Sequence, residues 1–518
     1  MKKIVSMLLC CILMLSLVAC GGGDKPGNSD AGDNGVERDT VKIGIDGDCG
    51  TLDPYVISGN YLNVMYNYAE PLWSYDGVAD GFASDFILAE SVETISDTEY
   101  VIHLREGVTF SNGSPFTADD VIFSLDYVAN ESNIAYYITF VDMEKTVAED
   151  DYTVRLFLTA YDKTQLTGLA NVAIVDKETY DPEVSGKNPV GTGPYIVTDY
   201  VVNSTVTLEA RDDYWGGEPA IKNVIYKNIP EASQKVNALE TGEVDMLISC
   251  PTADVEYVQG LDGVDVIMKG SISQVNLTYN CYEGGPLSTK EARWAVSHAV
   301  NSAGILDVAL NGYGEVAKAA FSASCGDYSD DLANLHDTYS KGYDLELAKK
   351  YAEESGLVGK TVTLITNGTE VYVTAAQIIE QALKEIGVNA QVLNSDQATV
   401  RNTIAGEEGW DVYVSWISNP SGIGLDQLYG QVCKFGRAHI NWDTELFSEF
   451  DAMGKELLAT ADDAKYNELL VEFMTKFEEQ CFMYGVADMP QISAAYDYIG
   501  GIATEGFATE RVFDWYFK

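Results

Sequence analysis

Residues 88–121 read LAESVETISDTEYVIHLREGVTFSNGSPFTADDV, and this stretch decides the fold. Apolar and polar side chains alternate over residues 100–104, which predicts a partly buried β-strand. Gly107 follows directly and supplies the backbone freedom that a turn requires. Thr117 and Asp120 then have the spacing of a capping box, so a helix is predicted to begin just beyond Thr117.

Strand and helix patterns are mixed over the rest of the chain. Further strands are predicted at residues 41–45, 154–158, 206–208, 362–365 and 391–393. Further helices are predicted to begin at Ser288 with Glu291, at Asp344, at Thr374 and at the sequence Thr460-Ala-Asp-Asp463. The order of strand 362–365, helix 374–386 and strand 391–393 favours a parallel sheet with a crossover helix. The fold class is therefore predicted to be α/β.

The composition describes an acidic globular protein. The 518 residues include 32 Lys+Arg and 80 Asp+Glu, which gives a formal net charge of −48. This balance excludes nucleic acid as a main partner, because phosphate binding needs clustered Lys and Arg. Hydrophobic residues make up 46% of the chain, enough for packed cores, and the length predicts about three domains.

The N-terminus has the pattern of an export signal. Lys2 and Lys3 precede an apolar run over residues 4–19, as in a secretory signal peptide. The run ends in Leu-Val-Ala-Cys20, which resembles the bacterial lipobox, and that resemblance implies acylation of Cys20. An ordinary cleaved signal or an uncleaved anchor are the alternatives.

We expect residues 1–19 to be a lipoprotein signal peptide and residues 20–40 to be the acylated cysteine with a flexible tether. Residues 21–38 are mainly Gly, Asp, Asn, Ser and Pro with few apolar side chains, a composition that does not order itself. The expected location is the outer face of the cell membrane or the periplasm. The protein would be lipid-anchored there, since two acyl chains hold a protein stably on a membrane.

The cysteines and the missing catalytic motifs point away from enzymatic chemistry. Six cysteines remain in the body of the chain, and their wide spacing without a CxxC pair favours buried free thiols over a disulfide framework. These are Cys49, Cys250, Cys281, Cys325, Cys433 and Cys481. The sequence contains no HExxH, GxSxG or P-loop motif, and four histidines leave little material for a metal site. No catalytic residue, metal or cofactor is therefore expected.

Several further stretches occur in the same order as in one known family. They are Thr51-Leu-Asp-Pro54, Tyr68-Ala-Glu-Pro-Leu-Trp73, Pro189-Val-Gly-Thr-Gly-Pro-Tyr195, Tyr214-Trp-Gly-Gly217, Leu239-Glu-Thr-Gly-Glu-Val-Asp-Met246 and Leu345-Glu-Leu-Ala-Lys-Lys-Tyr-Ala-Glu-Glu-Ser-Gly356. Together with residues 88–121 they resemble the bacterial extracellular solute-binding proteins of family 5, the oligopeptide and dipeptide type that serves ABC importers. The resemblance covers about residues 41–518.

The resemblance implies a periplasmic-binding-protein fold with two hinged α/β lobes and an extra domain inserted in the first. Carried over by motif, lobe I would comprise residues 41–59, 186–279 and 487–518, the inserted domain residues 60–185, and lobe II residues 280–486. A monomer would capture a small solute, expected to be a peptide, in the interlobe cleft by hinge closure and deliver it unaltered to the permease and ATPase subunits of the importer.

Residues 411–420, DVYVSWISNP, match the segment that leads into the cleft in the family. In the family's peptide binders an Asp shortly after the Trp pairs with the α-ammonium of the ligand; here Asn419 follows Trp416 at that position. Some also place an Arg three residues before the Trp, where this chain has Tyr413. Asp426 would replace the missing carboxylate if its loop bends back. Tyr429 and Trp416 would supply aromatic faces with polar handles.

Ser58, Asn60 and Tyr61 are further candidates, because they follow the Asp53-Pro54 turn where family members line the pocket. Against each aromatic candidate stands the alternative that it packs in a core. The neutral residues at positions 413 and 419 also leave other functions open. One is a neutral oligosaccharide or a metal chelate bound by the same fold. Another is a surface interaction or signalling protein without a permease.

Overall fold

The computed structural model describes residues 38–56, 61–75, 83–339, 342–418, 421–434, 436, 438, 445–504 and 511–518. Residues 39–518 form one compact unit. The predicted signal peptide, Cys20 and most of the predicted tether lie outside the described residues.

A seven-stranded mixed sheet builds the first lobe from the start, the middle and the end of the chain. In spatial order its strands are Val264–Lys269, Gln491–Tyr496, Met246–Leu247, Thr40–Ile45, Asn223–Asn228, Thr205–Ala210 and Tyr195–Val201. The central strand Thr40–Ile45 runs parallel to both of its neighbours, and its apolar residues Val41, Ile43 and Ile45 are buried in the core. This part of the structure also contains short helices, 3₁₀ turns and one strand pair. They are helices Tyr61–Met65, Ala232–Glu240 and Val255–Gln259, 3₁₀ turns Thr252–Asp254 and Val512–Asp514, and the pair Ile499–Gly500 and Tyr516–Phe517.

The segment between strands Thr40–Ile45 and Tyr195–Val201 of that first sheet has its own hydrophobic core. We name it the inserted domain after the expectation above, and its being a separate domain stays a prediction. Its four antiparallel strands are, in spatial order, Ala89–Ser96, Glu99–Leu104, Thr153–Phe157 and Val147–Asp150. Helix Ala118–Glu131 begins with the predicted capping box, in which the backbone N–H and the hydroxyl of Thr117 both donate to Asp120. The inserted domain also contains the strand pair Trp73–Ser74 and Asp85–Phe86, helices Gln165–Leu169 and Pro182–Ser185, and the 3₁₀ turn Ala135–Ile138.

A six-stranded mixed sheet forms the second lobe. In spatial order its strands are Glu315–Val316, Met483–Asp488, Gln274–Tyr279, Val412–Ile417, Thr361–Thr366 and Asn389–Asn394. Its helices are Lys290–Ala299, Ser302–Ala309, Asp330–Tyr339, Leu345–Glu354, Glu370–Glu385, Gln397–Ile404, Gly424–Tyr429, the π-helical turn Gly430–Lys434, Glu445–Leu458 and Asp463–Gln480. Strands Thr361–Thr366 and Asn389–Asn394 pair in parallel around helix Glu370–Glu385, as predicted.

The chain crosses between the two large sheets at residues 270–273 and 489–490, where the backbone N–H of Met489 donates to the carbonyl of Ser273 at 2.9 Å.

Strand pairing corrects two of the expected boundaries. Gln274–Tyr279, which we placed at the end of lobe I, pairs on both sides within the second sheet, and so does the whole of Met483–Asp488. Alternation shows that a segment is a strand but does not show which sheet it joins. The lobes as separate units stay a prediction.

The six cysteines of the body are all free thiols, five of them buried and Cys433 half-buried. Among the described residues, no helix combines the length and the apolar character that crossing a membrane requires.

Candidate ligand-binding cleft

Two cavities lie between parts of the chain that belong to different sheets. The first, here named the hinge cavity, has a volume of about 670 Å³ and is lined by Asp46 and Asp254 of the first lobe and by Glu370 of the second. The second, here named the inserted-domain cavity, has a volume of about 710 Å³ and lies between residues 136–168 of the inserted domain and residues 418–459 of the second lobe. Ser418 lines both cavities, so they meet at the end of strand Val412–Ile417.

A direct hydrogen bond joins the two lobes beside the hinge cavity. The amide of Asn311 donates to the hydroxyl of Thr252 at 3.0 Å, which links the second lobe to the first. Asp46 is paired with the buried Lys235, whose ammonium group lies 2.5 Å from the Asp46 carboxylate. The structure therefore shows a cleft whose sides touch, rather than two widely separated lobes.

Aromatic side chains form much of the wall of the inserted-domain cavity. Tyr136 and Tyr137 lie with ring centroids 4.2 Å apart, and Phe140 and Tyr161 also line the cavity. Burial raises the pKa of the Tyr161 phenol to about 12. Burial, together with the negative charge of Asp426, also raises the pKa of Tyr136. These phenols therefore remain neutral at physiological pH, and they offer the ligand ring faces and hydroxyl groups.

Helix Gly424–Tyr429 brings Asp426, Gln427 and Tyr429 to the wall of the same cavity. The helix is held at its N-terminus by Asp327, whose carboxylate accepts hydrogen bonds from the backbone N–H groups of Gly424 at 2.6 Å and Leu425 at 3.0 Å. Such bonds satisfy N–H groups that have no partner within a helix.

Tyr466 completes this support, because its hydroxyl donates to the same carboxylate at 3.0 Å. Burial raises the pKa of Asp327, and the three hydrogen bonds to the ionised carboxylate oppose that rise. Asp327 is thus a positioning residue for one wall of the cavity.

The structure brings two of the predicted residues to this cavity. Asp426 and Tyr429 line it, and the Ser421 hydroxyl donates to Asp426 at 3.3 Å. The Tyr429 hydroxyl donates to Asp451 at 2.8 Å. Asp426 therefore occupies the position that the sequence suggested for a carboxylate facing the ligand, although its role stays a prediction.

Other predicted residues lie elsewhere. Tyr413 is buried in a small cluster with Ile365 and Trp410, and it lines neither cavity. Trp416 is 39% exposed and stacks on Tyr372 at a centroid distance of 6.0 Å, outside both walls.

Ser58, Asn60 and Asn419 lie outside the described residues. Tyr61 begins helix Tyr61–Met65, and its side chain is also outside the description. Asn63, two residues further along that helix, lines the hinge cavity.

Asp162 and the tyrosines of the inserted domain were not anticipated. Nothing in the pattern of residues 134–164 distinguishes a cavity wall from a core, because the same aromatic side chains serve both. A dense aromatic run, Tyr136-Tyr-Ile-Thr-Phe140, is the one signal that was present.

Two lobes around a ligand-sized cleft, joined by two short crossings, define the class of periplasmic binding proteins. The family model for bacterial extracellular solute-binding proteins, family 5, matches residues 87–433, and the chain belongs to this family. The predicted family and two-lobed fold are thereby confirmed.

Individual relatives agree with this assignment. The dipeptide-binding protein of Escherichia coli K12 is 25% identical over 429 residues, which is 76% of this chain and 78% of the relative. The nickel-binding periplasmic protein of the same organism is 23% identical over 493 residues, 90% of this chain and 92% of the relative.

A solved structure, the ABC transporter substrate-binding protein CtaP from Listeria monocytogenes, superposes with a TM-score of 0.81 at 22% identity. The superposition covers 93% of this chain and 99% of that chain.

Proposed function

We propose that this protein is the solute receptor of an ABC importer, anchored to the outer face of the cell membrane through acylated Cys20. It captures peptides in the interlobe cleft as a monomer and presents them to the permease. The observation that carries the proposal is the pair of cavities that meet at Ser418, between lobes connected by crossings of only a few residues.

Hinge closure is sufficient for this task. A ligand that contacts both lobes binds the closed form better than the open form, so it shifts the population toward the closed form. The permease then distinguishes a loaded receptor from an empty one by shape. The hydrogen bond from Asn311 to Thr252 joins the two lobes beside the hinge cavity, and we expect it to break when the lobes open.

Peptide is the proposed ligand because the cleft offers carboxylates and tyrosine rings, and because the related E. coli protein is named for dipeptide binding. The bond from the ligand's α-ammonium to a carboxylate would fall to Asp426 in place of Asn419. A metal chelate is the second candidate, favoured by the name of the nickel-binding relative. It would have to be held through the chelator, since the described residues contain no group of three or more His, Cys, Asp or Glu placed to hold a metal ion.

Native mass spectrometry of the purified protein, followed by isothermal titration calorimetry with a peptide library, tests the proposal. A co-purified peptide, or peptide binding together with a smaller radius of gyration in small-angle X-ray scattering, would support it. A co-purified chelate or oligosaccharide would select the alternative ligand instead. No binding from peptide, sugar and chelate libraries, with unchanged scattering, would contradict a receptor function.

Asn419→Asp provides a sharper test of the ligand class. If the family's carboxylate is simply missing at this position, the substitution should increase affinity for peptides with a free N-terminus. Affinity for N-acetylated peptides should stay the same, which makes them the matched control.

A further inference from the structure

The walls of the two cavities differ in one class of side chain. No Phe, Tyr or Trp is among the described residues that line the hinge cavity. The wall of the inserted-domain cavity, by contrast, contains five aromatic side chains: Tyr136, Tyr137, Phe140, Tyr161 and Tyr429. Because the cavities meet at Ser418, a solute that lies in the hinge cavity can extend a side group to this aromatic wall.

Two of these rings have area left to bury. Tyr136 is 46% exposed, and Tyr161 is half-buried. Both line a cavity rather than an open surface, so a ligand group in that cavity would remove their apolar area from water. Such burial is favourable and is roughly proportional to the area removed.

The ring that the second lobe contributes is held in place. Tyr429 is buried, and its hydroxyl donates to the carboxylate of Asp451 at 2.8 Å. Its ring lies so close to Gly454 that a Cβ at that position would overlap it. The ring therefore keeps its position before a ligand arrives, which lowers the entropic cost of binding.

The rings that the inserted domain contributes are supported by a close backbone contact. Tyr136 and Tyr137 belong to the 3₁₀ turn Ala135–Ile138. A Cβ at Gly168, in helix Gln165–Leu169, would overlap the carbonyl oxygen of Tyr137. The helix thus packs directly against the turn and fixes this side of the cavity.

The phenols of the wall are uncharged at physiological pH. Burial raises the pKa of Tyr429, and the Asp451 carboxylate that accepts its hydrogen bond raises the pKa further. Neutral rings pack edge to face or offset on another ring, and such pairs are more favourable than their buried area alone accounts for. A cavity with several rings in its wall therefore distinguishes an aromatic group from an aliphatic group of the same size.

We infer that the inserted-domain cavity takes an aromatic side group of the bound solute, so that the receptor prefers peptides with phenylalanine, tyrosine or tryptophan at one position. This inference rests on the proposed function and names its substrate class. The aromatic contact requires no charged group of the wall and is independent of how the α-ammonium group of the peptide is bound.

A peptide series measured by calorimetry with the purified full-length protein tests the inference. Each position of a tripeptide carries in turn alanine, leucine, cyclohexylalanine or phenylalanine. At one position we expect phenylalanine to bind about ten- to hundredfold more tightly than alanine, the range for burial of a large apolar side chain. There it should also bind about two- to tenfold more tightly than cyclohexylalanine, the range for an aromatic pair.

Variants locate the preference in the cavity. Tyr136→Leu and Tyr161→Leu should each reduce the preference for phenylalanine over cyclohexylalanine at least about twofold. Tyr343→Leu is the matched control, because Tyr343 is an exposed tyrosine of the second lobe that lines neither cavity.

A filled cavity gives a second, independent test. Ala459 is exposed and lines the cavity, so Ala459→Trp places a large side chain where the solute's ring would bind. This variant should remove most of the preference for phenylalanine over alanine. Thermal melting of each variant confirms folding.

Equal affinity for phenylalanine and alanine at every position would overturn the inference while leaving the peptide receptor intact. Equal affinity for phenylalanine and cyclohexylalanine would also overturn it, because the cavity would then distinguish size alone. So would a preference that all three cavity variants retain, because the ring would then bind elsewhere. If no peptide binds, the proposed function fails, and N-acetyltryptophanamide becomes the probe. Binding of this probe that Ala459→Trp abolishes would support an aromatic site, and any other result would overturn it.

Discussion

Lys163 of the inserted domain lies with its ammonium group 2.6 Å from the carboxylate of Asp463, at the start of helix Asp463–Gln480 of the second lobe. The same ammonium group lies 4.6 Å from the ring centre of Tyr466, one helical turn further along. The backbone N–H of Lys163 also donates to the carbonyl of Leu458 at 2.8 Å. One residue thus joins the two sides of the inserted-domain cavity.

Under the proposed function, replacement of Lys163 by methionine should speed ligand release, because it removes an ion pair and a cation–π contact between the inserted domain and the second lobe. Lys163 is partly exposed and Asp463 is largely exposed, so the expected increase in the dissociation rate is only about two- to fivefold at low salt. The difference should shrink as salt screens the pair. Stopped-flow measurement of intrinsic tryptophan fluorescence checks the rate.

Lys145→Met is the matched control, since Lys145 pairs with Asp142 inside the inserted domain and crosses no cleft. Equal release rates for both variants and the unmodified protein, at low salt, would show that the Lys163 contact does not stabilise closure.

Gly454→Ala should displace the Tyr429 ring from the cavity wall. A Cβ at position 454 would come within 2.3 Å of the ring, which real contacts do not allow. In an ordinary helix interior this substitution stabilises by about 0.8–1 kcal/mol. Here we expect a loss of about 1–3 kcal/mol in the free energy of unfolding, from overpacking, together with weaker peptide binding.

Urea unfolding and calorimetry measure both effects. Gly406→Ala is the control, because a Cβ there would lie 3.7 Å from the carbonyl of Thr403, an ordinary contact. If Gly454→Ala is more stable than the unmodified protein and binds peptide with unchanged affinity, the added methyl group does not displace the Tyr429 ring.

Asp327→Asn should change how stability depends on pH. Burial raises the pKa of Asp327 in the folded protein above its usual 3.8. The folded state therefore binds a proton more readily than the unfolded state, so this carboxyl contributes stability at low pH that is lost as pH rises through its folded pKa. This loss of stability begins near pH 3.8, the ordinary pKa of an aspartate side chain, and continues as the pH rises.

The stability of the unmodified protein relative to Asp327→Asn should accordingly fall as the pH rises above about 4, as measured by urea unfolding. A difference that grows with pH would reverse the sign and show that the hydrogen bonds to the ionised carboxylate outweigh its burial.

Cys20→Ser should release the protein from cells. If Cys20 carries the acyl chains, the substitution leaves no stable membrane attachment, and most of the protein should move from the membrane fraction to the medium or periplasm. Fractionation with antibody detection measures this, and incorporation of labelled palmitate gives a second readout. Cys433→Ser controls for loss of a thiol as such.

Much of the fold could be predicted because local patterns determine local structure. The capping box at Thr117 and the cap of helix Leu345–Glu354 by Asp344 were both predicted from spacing. The predicted N-cap was wrong by one or two residues where several residues suited to capping are adjacent in the sequence. Thr289 caps the helix for which Ser288 was expected, and Asp462 caps the one for which Thr460 was expected.

The site could be predicted only in part, because it is assembled from segments far apart in sequence. Asp426 was found from its distance to a recognisable strand, and the structure places it in a cavity wall. Asp162 meets that wall from the inserted domain, and no spacing rule connects the two residues. Tyr413 was expected in the cleft from its position before Trp416, but strand alternation buries it on the opposite side among Ile365 and Trp410.

The two crossings form a single antiparallel ribbon. Strands Val264–Lys269 and Gln491–Tyr496 pair in the first sheet, and the same two chain segments pair again as Gln274–Tyr279 and Met483–Asp488 in the second. A bulge between Val275 and Asn276 lies just beyond the crossing. A two-stranded ribbon bends out of its plane more easily than it stretches or shears. Under the proposed function, the two lobes would therefore rotate about a single axis that passes through the ribbon. Under the proposed function, every solute would then produce nearly the same closed shape, and one permease would accept loaded receptors whose solutes differ in shape.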